Sequence, residues 1–149
     1  MPTQSVLLVE DDHFQRRSVE TALRDAGYEV TSVSTESEFR SRFEAIAANP
    51  PDVAVLDGMV RWTELSRNMI PSPPEVRDSP QRAGIRCAAQ LARDSRTSSV
   101  RIIMYSVWAF EDLGADNSTR LPEGVSWIAK ERSVDNLLLA LAKPELAVA

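Results

Sequence analysis

The sequence predicts an α/β protein in which a parallel sheet is covered by helices on both sides. Short apolar runs alternate along the chain with amphipathic stretches whose apolar residues recur at helical spacing. Two of the runs, residues 6–10 and 52–57, are apolar almost throughout, which is typical of parallel strands buried on both faces. Five strand-helix units follow one another in this way, without an internal sequence repeat. Because crossovers between parallel strands are right-handed, few arrangements of the five strands in the sheet are possible.

The first half of the chain shows the alternation clearly. A strand over 6–10 is followed by a helix over 14–26, which Gly27 ends. Residues 28–34 form a more polar strand, as expected at a sheet edge, and Thr35 to Glu38 form a capping box that begins a second helix. That helix carries its apolar stripe to residue 47 and ends before Pro50, ahead of the strand over 52–57.

In the second half the pattern is interrupted once. Residues 58–80 contain four prolines and no sustained period, although Trp62, Leu65 and Met69 fit one amphipathic helical turn. Regular elements then resume, and we expect a helix over 81–93, a strand over 100–106, a short helix over 108–113, a strand over 125–130 and a last helix that Ser133 caps and Pro144 ends.

Length and composition describe one ordinary globular domain, residues 1–149, with a core over about 5–142. The net charge of −5 argues against a direct nucleic-acid surface, and no apolar run is long enough to span a membrane. The start of the chain lacks the features of a signal peptide, and the single cysteine fits the cytoplasmic location that we expect. Cys87 is the only cysteine, which excludes an internal disulfide, and its apolar neighbours predict a buried side chain.

Three adjacent acids, Glu10, Asp11 and Asp12, follow the first predicted strand. Adjacent carboxylates repel one another and are costly to desolvate unless a cation or hydrogen-bond donors meet them. One interpretation is a polar turn in which Asp12 caps the next helix. The other is a divalent-cation site. This stretch alone leaves both open.

Polar residues also end three further predicted strands. Asp57 ends the third strand, Ser106 the fourth and Lys130 the fifth, so all lie at the edge where Glu10 and Asp11 are expected. Acidic oxygens suit Mg²⁺, and a hydroxyl with an ammonium suits a phosphoryl group. Glycine-rich nucleotide loops are absent, so the phosphoryl group is not expected to belong to a bound nucleotide.

The ordered segments "LLVEDD", "VAVLD", "IIMYS" and "SWIAK" resemble the receiver domains of bacterial two-component response regulators. The resemblance extends from about residue 5 to residue 141, with residues 58–80 as the main exception. It implies a flavodoxin-like fold with five parallel strands in the order 2-1-3-4-5.

The resemblance also implies roles for individual residues. Asp57 matches the phosphoacceptor, which takes a phosphoryl group from phosphohistidine. Glu10, Asp11, Asp57 and the backbone carbonyl of Met59 match the Mg²⁺ ligands. Lys130 matches the lysine that pairs with phosphoryl oxygens, and Ser106 matches the hydroxyl that follows the phosphoryl group. Trp127 matches an aromatic switch residue.

Four departures from the family pattern raise further expectations. The insertion at 58–80 is either a lid or partner-docking loop, or a disordered insertion. Glu131 follows Lys130 where the family has proline, which puts the geometry of this loop in doubt. Val107 follows Ser106 where a small residue is common, and we expect its side chain to narrow the access of a phosphoryl group to the site. Met59 and Trp108 occupy positions that tune hydrolysis, and their bulk predicts a long-lived phosphorylated state.

The function expected from the sequence is a stand-alone receiver that is not a turnover enzyme. Its expected partners are a histidine kinase or histidine phosphotransfer protein and a downstream protein target, with a homodimer as a further possibility. One alternative is a degenerate receiver that binds partners independently of phosphorylation. A second is a small hydrolase with Asp57 as nucleophile, which Met59 disfavours because such enzymes place an acid there.

Overall fold

The computed structural model describes residues 3–63, 71–108 and 121–143. Five parallel strands form one sheet in the order β2-β1-β3-β4-β5, which confirms the predicted class and strand order. The strands are β1 (Ser5–Val9), β2 (Glu29–Val33), β3 (Val53–Leu56), β4 (Arg101–Ser106) and β5 (Ser126–Ala129).

Helices cover both faces of this sheet. They are α1 (His13–Asp25), α2 (Glu36–Ser41), α3 (Phe43–Ala48), α4 (Pro74–Asp78), α5 (Ala83–Arg93) and α6 (Asp135–Ala142), with a short 3-10 helix over Pro80–Arg82. Two hydrophobic clusters fill the space between helices and sheet, one under α2, α3 and α5 and the other under α1 and α6. Alternate residues of β1 supply them, since Leu7 belongs to the first cluster and Leu8 to the second.

The helix starts follow the predicted capping chemistry in part. Asp12 accepts a hydrogen bond from the Gln15 N–H at 2.9 Å and so caps α1, as expected. The Thr35 hydroxyl caps α2 by accepting a hydrogen bond from the Glu38 N–H. The return bond of the predicted capping box is shifted by one residue, because the Glu38 carboxylate accepts from the Ser34 N–H, at 2.7 Å, rather than from the Thr35 N–H. The predicted Ser133 cap of the last helix is wrong: Val134 precedes α6 at the cap position and has no capping side chain, and the Ser133 hydroxyl instead accepts a hydrogen bond from the Asp135 N–H at 3.1 Å.

The second predicted helix is wrong as a single element. It is divided into α2 and α3 at Arg42, whose backbone (φ −96°, ψ 2°) departs from helical values. The Arg42 guanidinium reaches the backbone carbonyl of Ser32 at 3.3 Å, so a tertiary contact accompanies the break.

The interrupted segment contains more regular structure than its composition indicated. Pro74 begins α4 at a position where the missing N–H costs nothing, and the helix ends before Pro80. The predicted turn through Leu65 and Met69 and the predicted helix over 108–113 lie mostly outside the described residues. Within the described part of the chain, no helix is long and apolar enough to cross a membrane.

Candidate functional site

Four of the predicted site residues, Glu10, Asp11, Asp57 and Lys130, lie together at the carboxyl ends of β1, β3 and β5. The parallel hydrogen-bond ladder continues one residue beyond β1, β3 and β5 and fixes the backbones of Glu10, Asp57 and Lys130 there. The Glu10 N–H donates to the Val33 carbonyl at 3.1 Å, and the Asp57 N–H donates to the Val9 carbonyl at 2.9 Å. The backbone therefore positions these acids before any side-chain contact is made.

Three carboxylates converge at this edge. Ligand oxygens of Glu10, Asp11 and Asp57 lie within 4.8 Å of one another, and Glu10 is only 2% exposed. We call these three residues the acidic cluster. Such a set of oxygen donors fits a hard divalent cation such as Mg²⁺, which prefers carboxylate and carbonyl ligands.

Lys130 supplies the ammonium that faces the acidic cluster. Its Nζ contacts Asp57 Oδ2 at 3.1 Å and also forms an ion pair with Glu10. A third contact, to Gln15 Oε1 at 2.8 Å, completes its donors. One lysine therefore serves two of the three carboxylates.

Burial and charge shift the ionisation of these groups. Burial raises the pKa of the Glu10 carboxyl, and the adjoining Asp57 raises it further, while Lys130 opposes both effects. Burial lowers the pKa of the Lys130 ammonium, but Asp57 and Glu10 outweigh it and leave that pKa above its ordinary value. The site therefore carries a surplus of negative charge that a cation would offset.

Asp11 has a different partner from the other two acids. Its Oδ2 accepts hydrogen bonds from the Arg61 N–H at 3.0 Å and from Arg61 Nε at 3.2 Å. Arg61 Nη2 also donates to the Asp11 backbone carbonyl at 3.2 Å. An arginine from the segment after β3 therefore binds one member of the acidic cluster directly.

The start of α5 packs directly beneath Asp57. A Cβ placed on Gly84 would lie 2.0 Å from the Asp57 carbonyl oxygen and 2.8 Å from Met104 Cε. The Gly84 N–H also donates to the Gly58 carbonyl, at 3.1 Å. Only glycine permits this approach, which supports the Asp57 backbone from below.

Ser106 and Trp127 lie beside the acidic cluster rather than in it. Ser106 is fully buried, and its hydroxyl accepts a hydrogen bond from the Trp108 N–H at 3.1 Å. Trp127 is half-buried against the core, and its Nε1 donates to the Trp108 carbonyl at 3.0 Å. Among hydrogen bonds between described residues, none joins either side chain to the three acids.

The residues at the remaining positions of interest surround the site. The Met59 N–H approaches Asp57 Oδ1 at 3.4 Å, so the backbone of Met59 lies next to the acidic cluster. The side chains of Met59, Val107 and Trp108 are all exposed. All peptide bonds among the described residues are trans, and Lys130 reaches the acids with Glu131 next to it. Cys87 is buried as predicted, and burial raises the pKa of its thiol.

Sequence reasoning missed three contributors to the site: Gln15, Arg61 and Gly84. Gln15 lies in the first turn of α1, next to the acidic residues, and that position was the available signal. Arg61 lies in the inserted segment, and nothing in the sequence indicates that it faces Asp11. Gly84 lies inside a helix pattern, where an isolated glycine signals a close packing contact.

Comparison with known proteins supports the fold. No protein-family model and no curated protein sequence matches the chain. Solved structures do match. One is a chemotaxis response regulator of Vibrio cholerae, with a TM-score of 0.65, 20% identity and coverage of 94% of this chain and 97% of that chain.

Two further matching solved structures contain magnesium. The receiver domain of a sensor histidine kinase from Pseudomonas aeruginosa, described with a magnesium ion in its active-site cleft, has a TM-score of 0.65, 19% identity and coverage of 94% and 95%. A response regulator of Thermotoga maritima, in complex with Mg²⁺ and BeF, has a TM-score of 0.63, 16% identity and coverage of 93% and 96%. The fold of this chain is therefore the receiver fold, as the sequence resemblance implied.

Proposed function

We propose that the protein is a response-regulator receiver that accepts a phosphoryl group on Asp57 in the presence of Mg²⁺. The observation that carries the proposal is the convergence of Glu10, Asp11 and Asp57 within 4.8 Å, with the Lys130 ammonium 3.1 Å from Asp57. This arrangement occurs at the edge of the sheet where α/β proteins bind ligands.

The acidic cluster fits Mg²⁺ because its ligands are oxygens and its charge exceeds what Lys130 offsets. The residues that would hold the ion are Asp11, Asp57 and the Met59 carbonyl, with Glu10 acting through water. Bound Mg²⁺ would offset the charge of the carboxylates and of the incoming phosphoryl oxygens.

Asp57 acts as the nucleophile in this proposal. A carboxylate oxygen of Asp57 forms a bond to phosphorus while the bond from phosphorus to the donor imidazole nitrogen breaks, and the released nitrogen takes a proton. The donor is a phosphohistidine of a histidine kinase or histidine phosphotransfer protein. Lys130 is close enough to Asp57 to pair with the transferred phosphoryl oxygens.

The response to phosphorylation would pass through Ser106. Its hydroxyl bonds the Trp108 N–H, and the Trp108 carbonyl bonds Trp127, so the three residues form one hydrogen-bonded unit beside the site. Reorientation of Ser106 toward a phosphoryl group would break the first of these bonds and shift the equilibrium between two conformations. A downstream protein would recognise the shifted state. A second copy of this chain is one such partner, and its binding would give a homodimer.

The exposed side chains of Met59 and Trp108 flank the site and, by hindering an attacking water, would prolong the phosphorylated state. Receiver domains are generally signalling modules rather than turnover enzymes, which agrees with a product that stays attached to Asp57.

The test is phosphorylation by a small phosphodonor such as acetyl phosphate, with and without Mg²⁺, followed by intact-protein mass spectrometry. We expect one added phosphoryl group in the wild type that requires Mg²⁺, and none in Asp57→Asn. Asp52→Asn is the matched control, since Asp52 precedes the same strand at the opposite end of the sheet and should not affect labelling.

Two results would contradict the proposal. Labelling that persists in Asp57→Asn would move the phosphoacceptor elsewhere. A protein that is never labelled, yet binds its partners equally well with and without phosphodonor, would instead be a degenerate receiver.

A further inference from the structure

Arg61 holds the residue that the proposed function places in direct contact with the cation. Its N–H and Nε both donate to Asp11 Oδ2, at 3.0 and 3.2 Å, and Nη2 donates to the Asp11 carbonyl. These contacts join a guanidinium to a carboxylate that is 19% exposed. Among the described residues, the Lys130 ammonium therefore offsets the charges of Glu10 and Asp57, and the Arg61 guanidinium offsets the charge of Asp11.

The backbone of Arg61 is fixed by hydrogen bonds from α2. The first turn of α2 donates two N–H groups to this segment, Glu36 to the Arg61 carbonyl and Ser37 to the Trp62 carbonyl, both at 2.9 Å. The Arg40 guanidinium, on the same helix, lies 5.1 Å from the centre of the Trp62 ring. Consequently the Arg61 side chain can leave Asp11 without movement of the chain that carries it.

Helix α2 is itself firmly held. The Glu36 side chain is 1% exposed and receives two hydrogen bonds from Arg86, each 2.8 Å long. This pair connects α2 to α5, the helix whose Gly84 packs under Asp57. The position of Arg61 is therefore set by the same elements that support the phosphoacceptor.

We propose that the Arg61 guanidinium competes with Mg²⁺ for Asp11, so that this side chain sets the affinity of the acidic cluster for the cation. The inference rests on the proposed function. In the metal-free protein Arg61 offsets the charge of Asp11, and the cation must displace it in order to use the Oδ2 oxygen. Because the Arg61 side chain is 43% exposed, solvent can replace its contacts with Asp11, and we expect this ion pair to contribute about as much as a surface ion pair.

The test is isothermal titration calorimetry with Mg²⁺ on the wild type, Arg61→Gln, Arg61→Lys and Arg16→Gln. Arg16 is the matched control because it is also close to the acids, but its Nη1 donates to the Glu10 backbone carbonyl at 3.1 Å rather than to a carboxylate. Both glutamine variants lose one positive charge near the site. Only Arg61→Gln removes the guanidinium that competes for Asp11, while the backbone N–H of residue 61 can still donate to Oδ2.

We expect Arg61→Gln to bind Mg²⁺ about two- to five-fold more tightly than the wild type, the range that an exposed ion pair predicts. Arg61→Lys should fall between them, because it keeps the charge but loses the bidentate geometry. Arg16→Gln should change the affinity less. The advantage of Arg61→Gln should shrink near 1 M salt, where the screening length is about 3 Å.

Equal or weaker binding by Arg61→Gln, with unchanged thermal unfolding, would overturn this inference while leaving the proposed function in place. A gain in Arg16→Gln as large as that in Arg61→Gln would also overturn it, since general charge would then explain both. Failure of the wild type and all variants to bind Mg²⁺ would overturn the proposed function as well.

Discussion

Two clusters of charged side chains in this protein are built in opposite ways. In the acidic cluster, Glu10, Asp11 and Asp57 are brought together, and Lys130 is shared between two of them. In the second cluster, which we call the anchor cluster, arginines surround a buried carboxylate. Its members are Glu36, Arg40, Glu75 and Arg86.

The anchor cluster is saturated with hydrogen bonds. Both Glu36 carboxylate oxygens are bonded by Arg86, and one of them also by Arg40 at 3.1 Å. Arg86 additionally donates to the carbonyls of Glu75 and Ser79, at 3.2 and 2.6 Å. These bonds attach α4 and the following turn, part of the inserted segment, to α2 and α5.

The difference contrasts a saturated ion-pair network with a cluster of carboxylates that still has capacity for a cation. A carboxylate whose acceptor positions are occupied by arginines has little capacity left for another cation. Carboxylates that are held close together with too few donors can still bind a cation, but their mutual repulsion destabilises the metal-free protein. Substitutions in the two clusters should therefore have opposite effects.

The largest effect is expected where the two regions meet, at Gly84. Gly84→Ala places a Cβ 2.0 Å from the Asp57 carbonyl oxygen, a backbone atom that cannot move without displacing β3. We expect a loss of about 3 kcal/mol or more in the free energy of unfolding, measured by urea denaturation. In Gly27→Ala no atom lies within 4 Å of the added Cβ, and the positive φ of 96° should cost only about 1 kcal/mol. Equal losses in both variants would contradict the packing described here.

Removal of the anchor carboxylate should come next. Glu36→Ala leaves Arg86 without its buried partner, and we expect a loss of about 3 kcal/mol in urea unfolding. Glu44→Ala is the matched control, because Glu44 also pairs with an arginine but is 80% exposed, and it should change little. If the two variants were equally stable, the anchor cluster would not hold the fold together.

The opposite sign is expected in the acidic cluster. Asp57→Asn removes a charge that raises the pKa of Glu10, so in the absence of metal it should increase the free energy of unfolding by about 1 kcal/mol. A carboxyl whose pKa is raised in the folded state contributes stability below its unfolded pKa and loses that contribution as pH rises through the folded value. The gain from Asp57→Asn should therefore be present at neutral pH and vanish in acid.

Added Mg²⁺ should sharpen the comparison, since it should stabilise the wild type by binding the folded state and stabilise Asp57→Asn less. Thermal unfolding across pH, with and without Mg²⁺, measures all of these effects. Destabilisation by Asp57→Asn at neutral pH without metal would show that Lys130 fully offsets the charge of the acids.

The smallest effect is expected at an exposed ion-pair group. Arg96 lowers the pKa of Asp94 to about 2 through side-chain hydrogen bonds, and it also lowers the pKa of Glu44. A carboxyl with a lowered pKa contributes stability above its unfolded value, 3.8 for Asp94, which is lost as pH falls through the folded value. Arg96→Gln should therefore lower the melting temperature slightly at neutral pH and not at about pH 2. A difference that persisted in acid would point to a packing role for Arg96.

Local patterns were sufficient to predict the main elements of the fold. The buried strands were recognisable as short apolar runs, α1 from its spacing and from Asp12 as its cap, and the polar edge strand from its composition. The order of the strand-end residues likewise predicted that Glu10, Asp11, Asp57 and Lys130 would meet. These predictions succeed because period and capping depend on neighbours in sequence, and because parallel strands end at the same edge.

Tertiary structure alone decided the partners of individual side chains. Four features depend on contacts between residues that are distant in sequence. They are the break at Arg42, the contact of Gly84 with Asp57, the pairing of Arg61 with Asp11 and the anchoring of α4. Several arginines near the inserted segment look alike in the sequence, yet one faces Asp11 of the acidic cluster and another a buried glutamate. Charge and residue type set which pairs are favourable, whereas the distance between the two groups, which only the packed chain determines, decides which pairs form.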